Sequence, residues 1–239
     1  MSNLTHQQYS PFTTLLWVLF LVFGIQIIFT LLFTIGLSVY GFSAPHIEQV
    51  TFSPAFMASI GVLSALCTLP FLKVAMGPSN KAFPLQFLAI KPINSRTLMK
   101  VLAVGVVCYG LESALYHIFA LDMPAFMLQL KAQVNTGFDL FATILAVCII
   151  APIVEELIFR GLAYGRLVNT RLGVTGTIIV TSLVFTMIHI QYDIATLAIL
   201  SIAALLFGYV RYKTQNLVYC IILHAFLNLI STIELFMFF

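Results

Sequence analysis

Seven stretches of about twenty mainly apolar residues run along this chain, roughly at 13–40, 54–76, 97–120, 138–161, 172–191, 193–211 and 215–238. Each is long enough to cross a ~30 Å hydrocarbon core as a helix. Of the 239 residues, 61% are hydrophobic and only 8% charged, where a soluble domain carries ~25% charged residues. The expected fold is all-α: a polytopic transmembrane bundle of about seven spans around a polar intramembrane cavity. The bundle divides into N-terminal spans with an interfacial loop (1–137) and a C-terminal core (138–239), integrated in one membrane domain. The four cysteines, Cys67, Cys108, Cys148 and Cys220, all fall in apolar stretches without a paired spacing, so they read as packing thiols.

Lys and Arg positions set the orientation. With seven spans, one side collects Lys73, Lys81, Lys91, Arg96, Lys100, Arg166, Arg171, Arg211 and Lys213, and the other only Lys131. The N-terminus is therefore expected in the cytoplasm. The formal net charge of +3 reports topology and membrane-lipid contact, with no nucleic-acid partner. The longest polar interruption, from Gly77 to Pro92, is expected to form a turn and a short amphipathic piece at the interface. Short loops and a compact chain point to a bacterial inner (plasma) membrane.

Against this background Glu155 and Glu156 stand out, with Arg160 four residues on, because the residues before them from Leu145 are all apolar. A charged side chain at mid-membrane costs at least ~2.5–3.5 kcal/mol, so such groups usually face a polar cavity and mark function. Helical spacing separates the carboxylates by about 100° and puts Glu156 and Arg160 on one face as an ion pair. Glu155 is left without a local cation, free to act as a base. Pro152 predicts a kink just before the pair. His224 and Asn228 also share a face at i,i+4, where both could donate to an oxyanion. Phe185 and His189 have the same spacing. Counting ~1.5 Å per residue from the helix ends lets these groups meet within the membrane. Glu112 and His117 read as local hydrogen-bonding or cavity-lining groups.

At these positions the chain resembles the CPBP group of intramembrane proteases, also called the Abi family, which includes CAAX prenyl endopeptidases and bacteriocin-processing proteins. The resemblance rests on Glu155-Glu156-Leu-Ile-Phe-Arg160, Phe185-Thr-Met-Ile-His189 and His224-Ala-Phe-Leu-Asn228, in that order, and covers roughly 138–230. It implies hydrolysis of a peptide bond in a peptide or membrane-protein substrate. In that reading Glu155 polarises a water with help from His189, Glu156 and Arg160 hold the site together, and His224 and Asn228 stabilise the oxyanion. Members are called metalloproteases, and Glu155, His189 and His224 are the candidate ligands. There is no HExxH spacing, so the sequence leaves the metal open between a zinc-like ion and none. Two other functions use similar residues: a proton-coupled transporter, and a non-catalytic immunity or scaffold protein.

The basic-residue asymmetry makes a direct prediction. Single cysteines introduced between residues 77 and 96 should be labelled by impermeant reagents only from the cytoplasmic face. Labelling from the opposite face would invert the topology.

Overall fold

In the computed structural model, residues 9–78, 80 and 84–239 are described, and they form helices and connections with no strand among them. Six helices are long and apolar enough to cross a membrane. They are α1 (Pro11–Val39), α3 (Pro54–Ala75), α4 (Ser95–Ile118), α6 (Gly137–Leu167), α8 (Ile194–Thr214) and α9 (Leu217–Phe238). Shorter helices lie between them, among them α2 (Ala44–Thr51), α5 (Ala125–Ala132) and α7 (Gly173–Met187), with a single turn at Pro84–Phe87. The expected fifth span is thus shorter than its apolar stretch. With 15 residues, α7 extends only ~22 Å. It ends where the polar run His189–Asp193 begins, and Asp193 takes an extended backbone to cap α8. Two backbone N–H and hydroxyl hydrogen bonds from Thr196 hold the Asp193 carboxyl below its usual range.

Local signals explain most of these boundaries. Ser53, Asn94, Asp193 and Asn216 each accept a backbone N–H of the first helical turn, and Thr136 with Asp139 forms a reciprocal capping box at the start of α6. Gln215, with φ of 49°, ends α8 in the left-handed region and turns the chain straight into α9. In lipid such closure matters more than in water, because an unpaired backbone group has no solvent to turn to.

Helix α6 is the axis of the bundle. It packs against α1, α3, α7, α8 and α9, and Ile158, Phe159 and Leu162 are fully buried. The helix is wide, with π-helical segments at Leu145–Ile150 and Leu157–Ala163 on either side of Ala151–Glu156. Around Pro152, where a kink is expected, the helix opens into wider turns on both sides. Proline cannot donate to the carbonyl of Cys148 and crowds it, and a π segment, with its i→i+5 bonding, accommodates that lost register.

The described part of the connection expected at the interface, residues 84–92, is tied into the bundle. Ala89 O accepts the N–H of Leu217 at 2.8 Å, and Leu88 is buried against Gly161, where a Cβ would come within 2.8 Å of it. Lys81, counted above in the charge asymmetry, lies outside the described residues. Arg166 and Arg211, counted with it, are buried side chains instead of lipid-facing ones. Arg166 donates to Thr14 Oγ1 at 2.9 Å, to Thr13 Oγ1 at 3.1 Å and to the Ala75 carbonyl, and its guanidinium lies over Tyr9. This one side chain ties α6 to the first and third helices.

Arg166→Met should therefore lower stability in detergent by on the order of 2–3 kcal/mol, because hydrogen bonds from a charged donor are lost and their acceptors are left buried. Thermal unfolding followed by intrinsic fluorescence would check this. An unchanged midpoint would mean that the latch contributes little.

Candidate active site

Glu156 and Arg160 lie at the centre of the bundle with no solvent exposure, and Arg160 Nη1 donates to Glu156 Oε1 at 3.1 Å. Burying such charges is costly unless every partner is supplied. Arg160 Nη2 donates to the Ala204 carbonyl at 2.7 Å, and its guanidinium lies 4.6 Å from the Phe185 ring centroid and 5.2 Å from that of Phe207. Ser182 donates to the same Ala204 carbonyl at 2.8 Å. The pair anticipated from spacing is thus enclosed by α7, α8 and α9.

His224 connects the two carboxylates. Its Nδ1 lies 3.1 Å from Glu156 Oε1, and its Nε2 lies 3.9 Å from Glu155 Oε2. An ionised carboxylate only accepts, so Nδ1 carries the hydrogen toward Glu156 and Nε2 is the atom turned to Glu155. The ring is fixed by stacking on Phe207, with centroids 4.8 Å apart. Glu155 keeps 21% side-chain exposure while Glu156 has none. Adjacent residues on a helix diverge, as the spacing argument held, yet a histidine from a distant helix stands between them and approaches both.

The remaining motif residues border this cluster without joining its hydrogen bonds. His189 Nδ1 donates to the Phe185 carbonyl at 2.8 Å, which leaves Nε2 as the acceptor in the neutral ring. Its ring is 4.9 Å from Phe185, and Phe185 is 5.7 Å from His224. One phenyl ring therefore contacts both histidines. Asn228 lies one turn beyond His224 and donates one amide hydrogen to the Val147 carbonyl at 2.8 Å. Val147 sits in the first π segment, and in the second the Arg160 carbonyl accepts from Arg211 Nε at 3.0 Å. Each widened turn thus gives a carbonyl to a side chain of the last two helices. Glu112 has a local partner, Cys108 Sγ at 3.7 Å, while Tyr109 and Glu234 link α4 to α9.

Tyr192 had no signal in the sequence. Its ring lies parallel to His189, with centroids 6.2 Å apart, and edge-on to Phe126. Burial, followed by the neighbouring Tyr116 and Glu155, pushes its phenol up to about 12, so it remains protonated at neutral pH. No motif marks it, because its place depends on a turn between α7 and α8. The Ala204 carbonyl and Ser182 were equally invisible: a backbone acceptor has no letter of its own.

This geometry sits within a segment that has relatives. Residues 137–230 match the family of Rce1-like type II CAAX prenyl endopeptidases. That family is itself part of the CPBP group. The Rce1-like match begins at the start of α6 and runs into α9, and so takes in every member of the cluster. Searches of curated proteins and of solved structures give no match.

A metal centre would need several free donors around one point. His224 Nδ1 is engaged by Glu156 and His189 Nδ1 by a carbonyl. Among the described residues, no three His, Cys, Asp or Glu side chains come together as a metal-binding set. Each ring keeps Nε2 free, as a metal-ligating histidine does, so what the described residues lack is convergence of the donors on one point.

The burial difference between the carboxylates makes a prediction. Glu156→Gln leaves Arg160 buried without its counter-charge and should cost roughly 3–5 kcal/mol. Glu155→Gln, at a partly exposed position without a short hydrogen bond, should leave unfolding in detergent nearly unchanged. Equal losses for the two variants would contradict this division.

Proposed function

We propose that this protein is an intramembrane endopeptidase that cleaves a peptide bond of a membrane-associated protein or peptide with a glutamate-activated water. The observation that carries this reading is His224 held by Glu156 on one nitrogen and facing Glu155 with the other. Two carboxylates, one guanidinium and one imidazole sum to zero charge when His224 holds both of its hydrogens. Neutrality is what a low-dielectric site favours.

A water attacks the scissile carbonyl carbon and gives a proton to Glu155, the most exposed acid of the group. The carbonyl oxygen becomes an oxyanion, which His224 Nε2–H and the second amide hydrogen of Asn228 stabilise. Glu155 then passes its proton to the nitrogen as the carbon–nitrogen bond breaks, leaving a carboxylic acid and an amine. His189, with its Nδ1 hydrogen engaged, offers Nε2 to the second hydrogen of the water. Glu156 and Arg160 position His224 and touch no substrate. The Rce1-like match supports peptide hydrolysis as the chemistry.

Mass spectrometry of membranes carrying the wild-type or the Glu155→Gln protein tests this. Product peptides should be present with the first and lost with the second. Asn228→Ala should reduce turnover by ~10²–10³, the cost of one oxyanion donor, with little change in substrate affinity. Peptide profiles identical for wild type and Glu155→Gln would instead favour a carrier or a binding protein.

A further inference from the structure

A second polar feature lies apart from the carboxylate cluster. A cleft of about 530 Å³ opens between α4, α8 and the start of α9, and none of Glu155, Glu156, His189 or His224 lines it. Three lysines surround it: Lys91 from the interfacial loop, Lys100 from α4 and Lys213 from α8. No Asp or Glu is among its lining residues. Among the other described residues the basic side chains are scattered or buried, so three exposed ammonium groups around one opening form a concentrated positive field.

The rim is built by contacts that fix its shape. Buried Asn216 accepts the Lys91 N–H at 3.2 Å and donates to the Lys91 and Pro92 carbonyls at 3.1 and 3.2 Å. Tyr219 Oη accepts the N–H of Asn94 at 2.6 Å. Two of the three helix ends at this opening are N-termini, those of α4 and α9, whose dipoles add positive potential. The third is the C-terminus of α8, where Lys213 stands in the last turn.

Below the rim the lining changes character. Val101 and Val104 of α4 and Leu206 of α8 form the wall. Val104 is four residues past Lys100 on the same helix, ~6 Å further in at 1.5 Å per residue. A free anion would need only the charged rim. A ligand with a negative head and an apolar tail uses both levels, and basic pockets between transmembrane helices are suited to such headgroups.

We infer that this cleft is a binding site for an anionic phospholipid, whose phosphate is held by Lys91, Lys100 and Lys213 while an acyl chain lies against Val101, Val104 and Leu206. The site is separate from the proposed peptide hydrolysis, and its test does not depend on activity.

Native mass spectrometry of the full chain, released from detergent with added lipid, reads the site directly. Phosphatidylglycerol should be retained as a discrete adduct and raise the thermal midpoint, while phosphatidylcholine should do neither. The combined Lys91→Gln, Lys100→Gln, Lys213→Gln variant should weaken phosphatidylglycerol retention by about a hundredfold, since each surface lysine contributes roughly a factor of five. Val104→Trp, which fills the wall without changing charge, should weaken it as well. Lys73→Gln with Arg171→Gln should leave retention unchanged. Equal retention by the lysine variant, by Val104→Trp, or equal loss in the control variant would overturn the assignment. So would inorganic phosphate raising the midpoint as much as phosphatidylglycerol, which would make the cleft a simple anion site. Gel-filtration profiles matching wild type would establish that each variant is folded.

Discussion

The organisation of this molecule depends on the neutralisation of Arg160. A guanidinium with no exposure, inside helices meant for lipid, must find a counter-charge and acceptors or the fold is lost. Glu156 supplies the charge from one turn away, the Ala204 carbonyl supplies an acceptor from α8, and Phe185 and Phe207 supply aromatic faces from α7 and α8. Because the partners come from three separate helices, pairing this one side chain also sets where those helices stand. His224 then approaches Glu156 from α9, so the ion pair that holds the bundle also aims the histidine of the proposed chemistry.

The second constraint is the backbone of α6. In lipid, a helix that departs from regular bonding must have its carbonyls met by other groups. The two π segments are tolerated because Asn228 reaches Val147 and Arg211 reaches Arg160. Both donors belong to the last two helices, which therefore pack on α6 by apolar contact and by repairing its backbone. Gly161 belongs to the same arrangement, since any side chain there would strike Leu88 and lie within 3.3 Å of Leu217. The distortion, the interfacial loop and the start of α9 are thus coupled through one short stretch of α6.

The two polar regions differ in the way their charges are handled. The carboxylate cluster is largely enclosed: Glu156 is matched by Arg160 and His224 within hydrogen-bond distance, and Glu155 faces His224 at 3.9 Å. The lysine cleft is open, with like charges and no local acid. Charges matched internally make a site that acts on what is brought to it, whereas an unbalanced field at a membrane surface attracts a ligand of opposite sign. One helical bundle can carry both because α8 and α9 present different residues to each: Ala204, Phe207 and His224 to one, Leu206, Lys213 and Asn216 to the other.

Much of this was readable in the letters alone, for physical reasons. The bilayer demands long apolar stretches and punishes charge, so composition and length revealed the helical class and drew attention to Glu155, Glu156 and Arg160. The i,i+4 rule then paired Glu156 with Arg160, because that distance is fixed within one helix whatever surrounds it. Relations between helices were not readable. His224 standing between both carboxylates, Asn228 bonded to the Val147 carbonyl, and Tyr192 lying against His189 depend on how the helices cross and where the chain turns, and no local spacing encodes that. The shortening of α7 had the same origin: hydropathy counted residues 188–191 as span, while the turn leading to Asp193 claimed them. The π segments were only hinted at by Pro152, since the wider turns survive through donors more than fifty residues away. Sequence determined which groups must be neutralised in the membrane; tertiary packing decided which partners do it, because hydrogen bonds are satisfied by proximity in space.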